Sequence, residues 1–186
     1  MFIEYEKITP EEYKNRFQGN NIYYEFYNSP FGKFLLAVTR ECICNLYFVS
    51  QYNENHSVSE LKKFWPLSSI VKSRQNTEKY GNEIENYLES MQNLESRFFL
   101  KGTPFQVKVW EALLQIPEGS TVSYRDVSVF IGMPKSSRAV ANAIGKNPVA
   151  FIIPCHRVVR STGHPGGYRW GLELKKKLIE REIVIT

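Results

Sequence analysis

The pattern of apolar and polar positions predicts strands early in the chain and helices later. "NIYYEFYNS" (21–29) and "KFLLAVTR" (33–40) are β-rich runs separated by the turn "NSPFG", and so form a hairpin. "CICNLYFVS" (42–50) continues as a third strand. "SVSELKKFW" (57–65) reads as a short capped helix that Pro66 ends. In "TEKYGNEIENYLESMQ" (77–92), Ile84, Tyr87, Leu88 and Met91 share one helical face. "SRFFLKG" (96–102) is a strand or an extended linker.

After Gly102 the texture becomes helical. "TPFQVKVWEALLQI" opens with Thr103 as N-cap and Pro104 at the first helical position, and places Phe105, Val109, Ala112 and Leu113 on one face. A second helix starts at the cap Ser123 and stops at Gly132, and a third, "SRAVANAIG", is capped by Ser136 or Ser137. Two short helices joined by a glycine-containing turn form a helix-turn-helix pattern. Small residues on the third helix (Ser137, Ala139, Ala141, Ala143) would allow close approach to a groove. An ordinary helical hairpin with inward alanines would produce the same pattern.

Charge sharpens the division. From Phe98 onward there are 13 Lys and Arg against 6 Asp and Glu, while the preceding 97 residues hold 11 against 13. The second part is thus basic and the first nearly neutral, which points to a polyanion partner for the second. We expect two domains, 1–97 and 98–186. The 186 residues suffice for a core in each, and 42% hydrophobic with 23% charged residues describes an ordinary globular protein. No run approaches the roughly 18 apolar residues of a membrane span. The start, "MFIEYEKITPEEYK", is acidic and mixed rather than a targeting peptide, so a cytoplasmic protein is expected. Cys42 and Cys44 read as small core residues of one strand face. The three histidines have no metal-site spacing relative to them, so no metal is expected.

The chemistry gathers in "FIIPCHRVV" (151–159), where apolar flanks surround Cys155, His156 and Arg157. A thiol is a strong nucleophile only as thiolate, and an imidazole oriented by a carboxylate can take its proton. Glu182 and Glu180 are the candidate orienters, and Arg157 is expected in an ion pair that braces the fold. A buried structural cysteine beside a core histidine would satisfy the same local sequence. So would a Cys-His hydrolase.

Context separates these readings. "GTPFQVKVWEALLQIPEGSTVSYRDVS", "SSRAVANAIGKNP", "IPCHRVVRSTG" and "GYRWGLELKKKLIERE" follow one another at the spacing found in the O6-alkylguanine-DNA alkyltransferases. The chain resembles that family, most closely its bacterial members. The match is dense from Gly102 to Glu182 and looser before, where it rests on features such as "SPFGKFLLAVT".

The resemblance implies an α/β N-terminal domain, with a small antiparallel sheet and helices of ribonuclease H-like type. A mostly helical, winged helix-turn-helix-like C-terminal domain would follow. It implies DNA repair by direct, irreversible transfer of the alkyl group from O6-alkylguanine, and O4-alkylthymine, to Cys155, once per molecule and without cofactor. In that pattern His156 deprotonates Cys155 through a water, and Glu182 holds His156. Tyr124 donates a proton towards the departing base, and Lys175 helps polarise the site. Arg138 would replace a flipped-out nucleotide in the stack, with Ser137, Ala139 and Tyr124 also against the minor groove of double-stranded DNA. Asn147 would tie the helix-turn-helix to the active-site loop and, with Ala150, Val158, Tyr168, Arg169 and Trp170, shape the base pocket, with backbone groups near Cys155, Val158 and Arg169 reading the guanine. Ala150 and Trp170 stand where some relatives carry proline and glycine, which bears on preference among bulky adducts. A monomer is expected. The alternative within the same resemblance is a non-catalytic lesion-binding protein that recruits other repair factors.

Overall fold

The structure is a computed structural model that describes residues 4–39, 41–49, 53–90 and 94–185. The chain divides into two compact units, Met1–Gly102 and Thr103–Thr186.

In the N-terminal unit, β1 (Tyr5–Ile8) leads into α1 (Pro10–Phe17). Thr9 and Glu12 form a reciprocal capping box around Pro10, which fixes where that helix starts. The expected hairpin is β2 (Asn21–Tyr27) and β3 (Phe34–Val38), and β4 (Ile43–Phe48) pairs with β3. Every residue of β3 and β4 is buried, as befits strands covered on both faces. Cys42 and Cys44 are buried too, with the Cys44 thiol donating to the Ala37 carbonyl at 3.3 Å where the register shifts. After α2 (Glu54–Phe64), β5 (Ser69–Lys72) joins β2, and after α3 (Arg74–Ser90), β6 (Phe98–Lys101) joins β1 and β4.

The sheet order is β1-β6-β4-β3-β2-β5. It is therefore larger than the small antiparallel sheet expected. Only β2, β3 and β4 are antiparallel, while β1/β6, β4/β6 and β2/β5 are parallel. β5 and β6 are reached by long crossovers through α2 and α3, which local sequence does not announce. The boundary also moves. β6 lies in register with β1 from Tyr5↔Phe98 to Ile8↔Lys101, so the N-terminal unit runs to Gly102 and a cut at 97/98 would remove one of its inner strands.

Asn45 is buried at the sheet centre and bonded to both Tyr47 Oη (2.7 Å) and Trp65 Nε1 (2.5 Å). Lys101 Nζ lies over the rings of Tyr13, Phe64 and Trp65 and donates to the Phe64 carbonyl. The helical face Ile84, Tyr87, Leu88 of α3 is buried as expected, and Met91 lies outside the described residues. α2 begins at Glu54, three residues before the expected start, because Asn53 caps it. Gly81 lets α3 approach the sheet: a Cβ there would sit 2.0 Å from the Tyr27 ring.

The C-terminal unit contains α4 (Pro104–Leu114), β7 (Val122–Ser123), α5 (Tyr124–Phe130), α6 (Ser137–Gly145), a 3₁₀ turn (Cys155–Arg157), β8 (Val158–Val159) and α7 (Leu172–Ile185). Thr103 caps α4 and Ser123 caps α5, each in a capping box. Trp110 on α4 donates its indole N–H to the Ala143 carbonyl of α6 at 2.9 Å. Gly132, at φ +75°, turns the chain out of α5, completing the helix-turn-helix. The expected cap of α6 is absent. Ser136 makes no side-chain cap bond, and the Ser137 hydroxyl pairs instead with Ser128 Oγ at 3.2 Å.

Candidate active site

The site is built on the irregular peptide between α6 and α7. Asn147, buried just past α6, organises it. Its Oδ1 accepts the Val149 N–H at 2.9 Å, and its Nδ2 donates to the Ile153 carbonyl at 2.9 Å and to Cys155 Sγ at 3.1 Å. One amide thereby shapes the loop and touches the sulfur. Cys155 is 3% exposed. Burial pushes its thiol up, while the Asn147 bond and the nearby Lys175 charge pull it down. The resting group is thus a thiol with a donor and a cation already in place for its anion.

His156 follows in the 3₁₀ turn, wholly buried, with Nε2 2.7 Å from Glu182 Oε1 of α7. A carboxylate only accepts, so Nε2 carries the proton and Nδ1 holds the lone pair. Nδ1 is buried and makes no hydrogen bond to any protein group, Sγ of Cys155 included. Burial lowers the imidazole's pKa most, Glu182 works against this, and Arg157 and Lys175 reinforce it.

Glu182 is the junction of the site. Besides His156 it accepts from Arg157 Nε and Nη2, both at 2.9 Å, and from the Gly119 N–H at 3.3 Å. Arg157 Nη1 reaches on to the Ile116 carbonyl at 2.6 Å. Burial would raise the Glu182 carboxyl, but the bonds and charges of His156 and Arg157 outweigh it and hold the group at about 2. Glu180, the other candidate, is exposed and takes no part.

Lys175 is fully buried on α7 and donates to the Val158 carbonyl at 2.5 Å. Burial brings its ammonium down to about 8, with Cys155 opposing. Tyr124 begins α5 directly after β7, whose register Val122↔Val158, Ser123↔Val159 ties it to β8 and hence to the turn that carries Cys155. Its phenol is raised by burial and by Cys155, and lowered by Arg160. A Cβ on Gly166 would sit 2.9 Å from Tyr124 Oη, so this glycine, at φ +70°, leaves room for the phenol. Tyr168 faces the sulfur as well. Burial and Cys155 raise its phenol strongly, yet its buried Oη makes no hydrogen bond of ordinary geometry.

Of the expected pocket residues, Asn147, Ala150, Val158 and Trp170 are buried, and Trp170 packs edge-on against Tyr168 at 5.3 Å. Arg169 lies over Trp170 and reaches the Asn147 carbonyl at 3.4 Å. The Cys155 carbonyl accepts the Val158 N–H, and the Val158 carbonyl accepts Lys175, so these groups are already engaged within the loop. Arg138 and Ala139 are exposed on α6, Ser137 is half-buried, and Val140, Ala143 and Ile144 face the core. The alanines are thus divided: Ala143 packs inward and Ala139 outward. One contributor was not foreseen. Phe151, with φ +67°, stacks on the His156 ring, and a phenylalanine in that conformation has no signature in sequence.

A mixed-sheet unit followed along the chain by a helical unit that holds a Cys-His-Glu constellation defines a class, and sequence comparison assigns it. Residues 104–184 match the DNA-binding domain of 6-O-methylguanine DNA methyltransferase, and residues 22–97 match the ribonuclease-like domain of the same family. The inducible methylated-DNA–protein-cysteine methyltransferase of Bacillus subtilis is 41% identical, over 70% of this chain and 75% of its own. The bifunctional transcriptional activator/DNA repair enzyme Ada of Escherichia coli is 34% identical over 94% of this chain. This chain spans about half of Ada's length (49%). The crystal structure of Mycobacterium tuberculosis OGT in complex with DNA matches with a TM-score of 0.71 at 31% identity, covering 87% of this chain and 93% of that one. The chain belongs to the O6-alkylguanine-DNA alkyltransferase family, the methylated-DNA–protein-cysteine methyltransferases.

Proposed function

We propose that this protein repairs alkylated DNA by transferring the alkyl group from O6 of guanine, and from O4 of thymine, to Cys155. The observation that carries the reading is the buried thiol held by Asn147 next to a His156–Glu182 pair, inside a helix-turn-helix unit. His156 Nδ1 takes the thiol proton through a water. The thiolate attacks the alkyl carbon, the carbon–O6 bond breaks as the carbon–sulfur bond forms, and Tyr124 protonates the departing base. Asn147 and Lys175 stabilise the sulfur anion before attack. The product is a thioether, which offers water no carbonyl to attack, so each molecule acts once.

A thiol this deep cannot reach a base inside a duplex, so the nucleotide must be flipped into the site. Exposed Arg138 on α6 enters the stack in its place from the minor groove, with Ala139 allowing close approach and Ser137 at the helix start. Among the described residues no helix is long and apolar enough to cross a membrane, and the three free cysteines fit a reducing cytoplasm. We read the protein as acting there as a monomer on double-stranded DNA.

The deciding experiment mixes excess O6-methylguanine duplex with protein and follows intact mass. The expected result is a gain of one methylene on the Cys155 peptide and a plateau of repaired sites at about one per molecule. Turnover beyond one equivalent, or methylation at Cys42 or Cys44, would overturn the mechanism. Lesion binding without any mass gain would leave the non-catalytic recruiter as the function.

A further inference from the structure

The peptide carrying the nucleophile contains two tight turns of opposite hand. The Ile152 N–H donates to the Ala150 carbonyl at 2.8 Å around Phe151 at φ +67°. This is the rare, strained γ-turn. The Cys155 N–H donates to the Ile153 carbonyl at 2.7 Å around Pro154, at φ −80° and ψ 60°. That is the relaxed, inverse form. The strain therefore falls on Phe151, the only non-glycine residue with positive φ among those described.

Strain at a bulky residue persists only where the surroundings impose it. Asn147 pins Val149 and Ile153, and the Ile153 N–H donates to the Val149 carbonyl at 3.1 Å. Those bonds would hold a glycine at 151 equally well, and without strain. Phenylalanine adds a ring. It lies parallel to the His156 imidazole, planes 6° apart and centroids 5.4 Å apart, with both residues buried. This is an offset stack.

We propose that Phe151 is a positioning residue for His156: the strained turn delivers a π face that sets the plane of the imidazole and stabilises its cation. When Cys155 loses its proton, the S–H bond breaks, an N–H bond forms at Nδ1, and a positive charge appears on the stacked ring. A cation against an aromatic face is favoured, more so when both are out of water. The groups facing His156 make this necessary. Arg157 and Cys155 lie on its own turn, and Glu182 and Lys175 come from α7. Burial and both neighbouring cations oppose protonation, so Glu182 and the Phe151 face are what favour it. The single bond at Nε2 anchors one atom of the ring, and the stack defines its plane.

The stacking itself stands apart from alkyl transfer, whereas its catalytic consequence rests on that reading, so the experiment has two arms. Phe151→Leu keeps apolar volume and removes the π face. Pentafluorophenylalanine at 151 keeps the ring shape and inverts the polarity of its face. The first arm follows the His156 ring nitrogens by NMR against pH on the protein alone. The second follows single-turnover transfer from O6-methylguanine duplex against pH. Both variants are expected to protonate His156 only at lower pH and to transfer about three- to tenfold more slowly. Should leucine not fold, the fluorinated ring still decides. A fluorinated variant that titrates like the parent would reduce Phe151 to packing and overturn the proposal. Shifted titration in the variants, beside a parent protein that transfers nothing, would instead remove the alkyl-transfer reading and leave the stack's role intact.

Discussion

The two units bury different things. In the N-terminal unit the fully buried side chains are apolar or neutral: Asn45, Ser57, Thr77 and Ser96 are the buried polar residues among those described. The C-terminal unit, though built on fewer strands, buries His156, Lys175 and Glu182 at 0%, 0% and 2% exposure. Burying charge costs several kcal/mol per ion before compensation. Apart from Lys101, half-buried among its rings, the first unit follows the rule for stability, and the second departs from it around one sulfur. The location of that departure is itself evidence of function.

The cysteines test this contrast most severely. Cys155→Ser should bind duplex yet transfer nothing measurable, because an alcohol is far less acidic than a thiol and the pocket's donors are set for sulfur. Cys44→Ser, at an equally buried position, should cost stability and leave the single-turnover rate unchanged. Burial pushes its thiol well above the ordinary thiol range, so it holds its proton at any pH where the protein is folded. A rate loss at Cys44 comparable with that at Cys155 would erase the distinction between the units.

Acid should separate them next. Glu182 in the folded protein stays ionised down to about pH 2, whereas its unfolded carboxyl protonates near 4.5. Unfolding therefore takes up a proton in that window, and stability present above pH 4.5 is lost as pH falls towards 2. The loss amounts to about 3 kcal/mol. His156 acts in the same direction, since burial lowers its pKa below that of the unfolded chain. The N-terminal unit buries no carboxylate among its described residues, so residue-resolved hydrogen exchange should show the C-terminal unit opening first on acidification. Simultaneous opening would break the comparison.

Two buried asparagines sharpen it. Asn45→Ala and Asn147→Ala each strand buried partners, and each should cost about 2 kcal/mol in chemical denaturation. Only Asn147→Ala should also slow transfer, since only that amide touches a nucleophile. The smallest expected effects on transfer concern glycines. Gly81→Ala drives a methyl into Tyr27 and should cost about 1–3 kcal/mol of stability, with the rate unaltered. Gly166→Ala should displace Tyr124 and slow transfer severalfold, with about 1 kcal/mol of backbone strain.

How much could be read without the structure also differs between the units. The β2–β3 hairpin is legible because its turn is local, and α4 because Thr103 and Pro104 mark its first residues. β1 and β5 left no legible trace. Each is four residues long, and β1 finds its partner β6 across some ninety residues of chain. The sheet's parallel edges stayed hidden for the same reason. Cys155, His156 and Glu182 stand out by their chemistry and by resemblance, and geometry then chooses Glu182 over the exposed Glu180. The resemblance assigns Asn147 to the loop, while its three bonds, and its contact with the sulfur, are nothing periodicity can express. Phe151 is the extreme case: sequence rules reserve positive φ for glycine and asparagine, so an aromatic residue forced there is visible only in coordinates.

The ladder between β7 and β8 is two residues long, and its register is backbone against backbone, Val122 to Val158 and Ser123 to Val159. It sets the spacing of Tyr124 from Cys155, the proposed proton donor from the proposed nucleophile. Peptide groups are identical at every position, so this spacing carries no memory of which side chains flank it. Val122 is half-buried and can drift to other β-branched or aromatic residues without altering the gap. The ladder thus ties the start of α5 to the turn that carries Cys155 through groups that no side-chain substitution removes. Under the proposed reaction, the loop residues around the base can change while the proton donor's backbone stays tethered to the backbone of the nucleophile's turn.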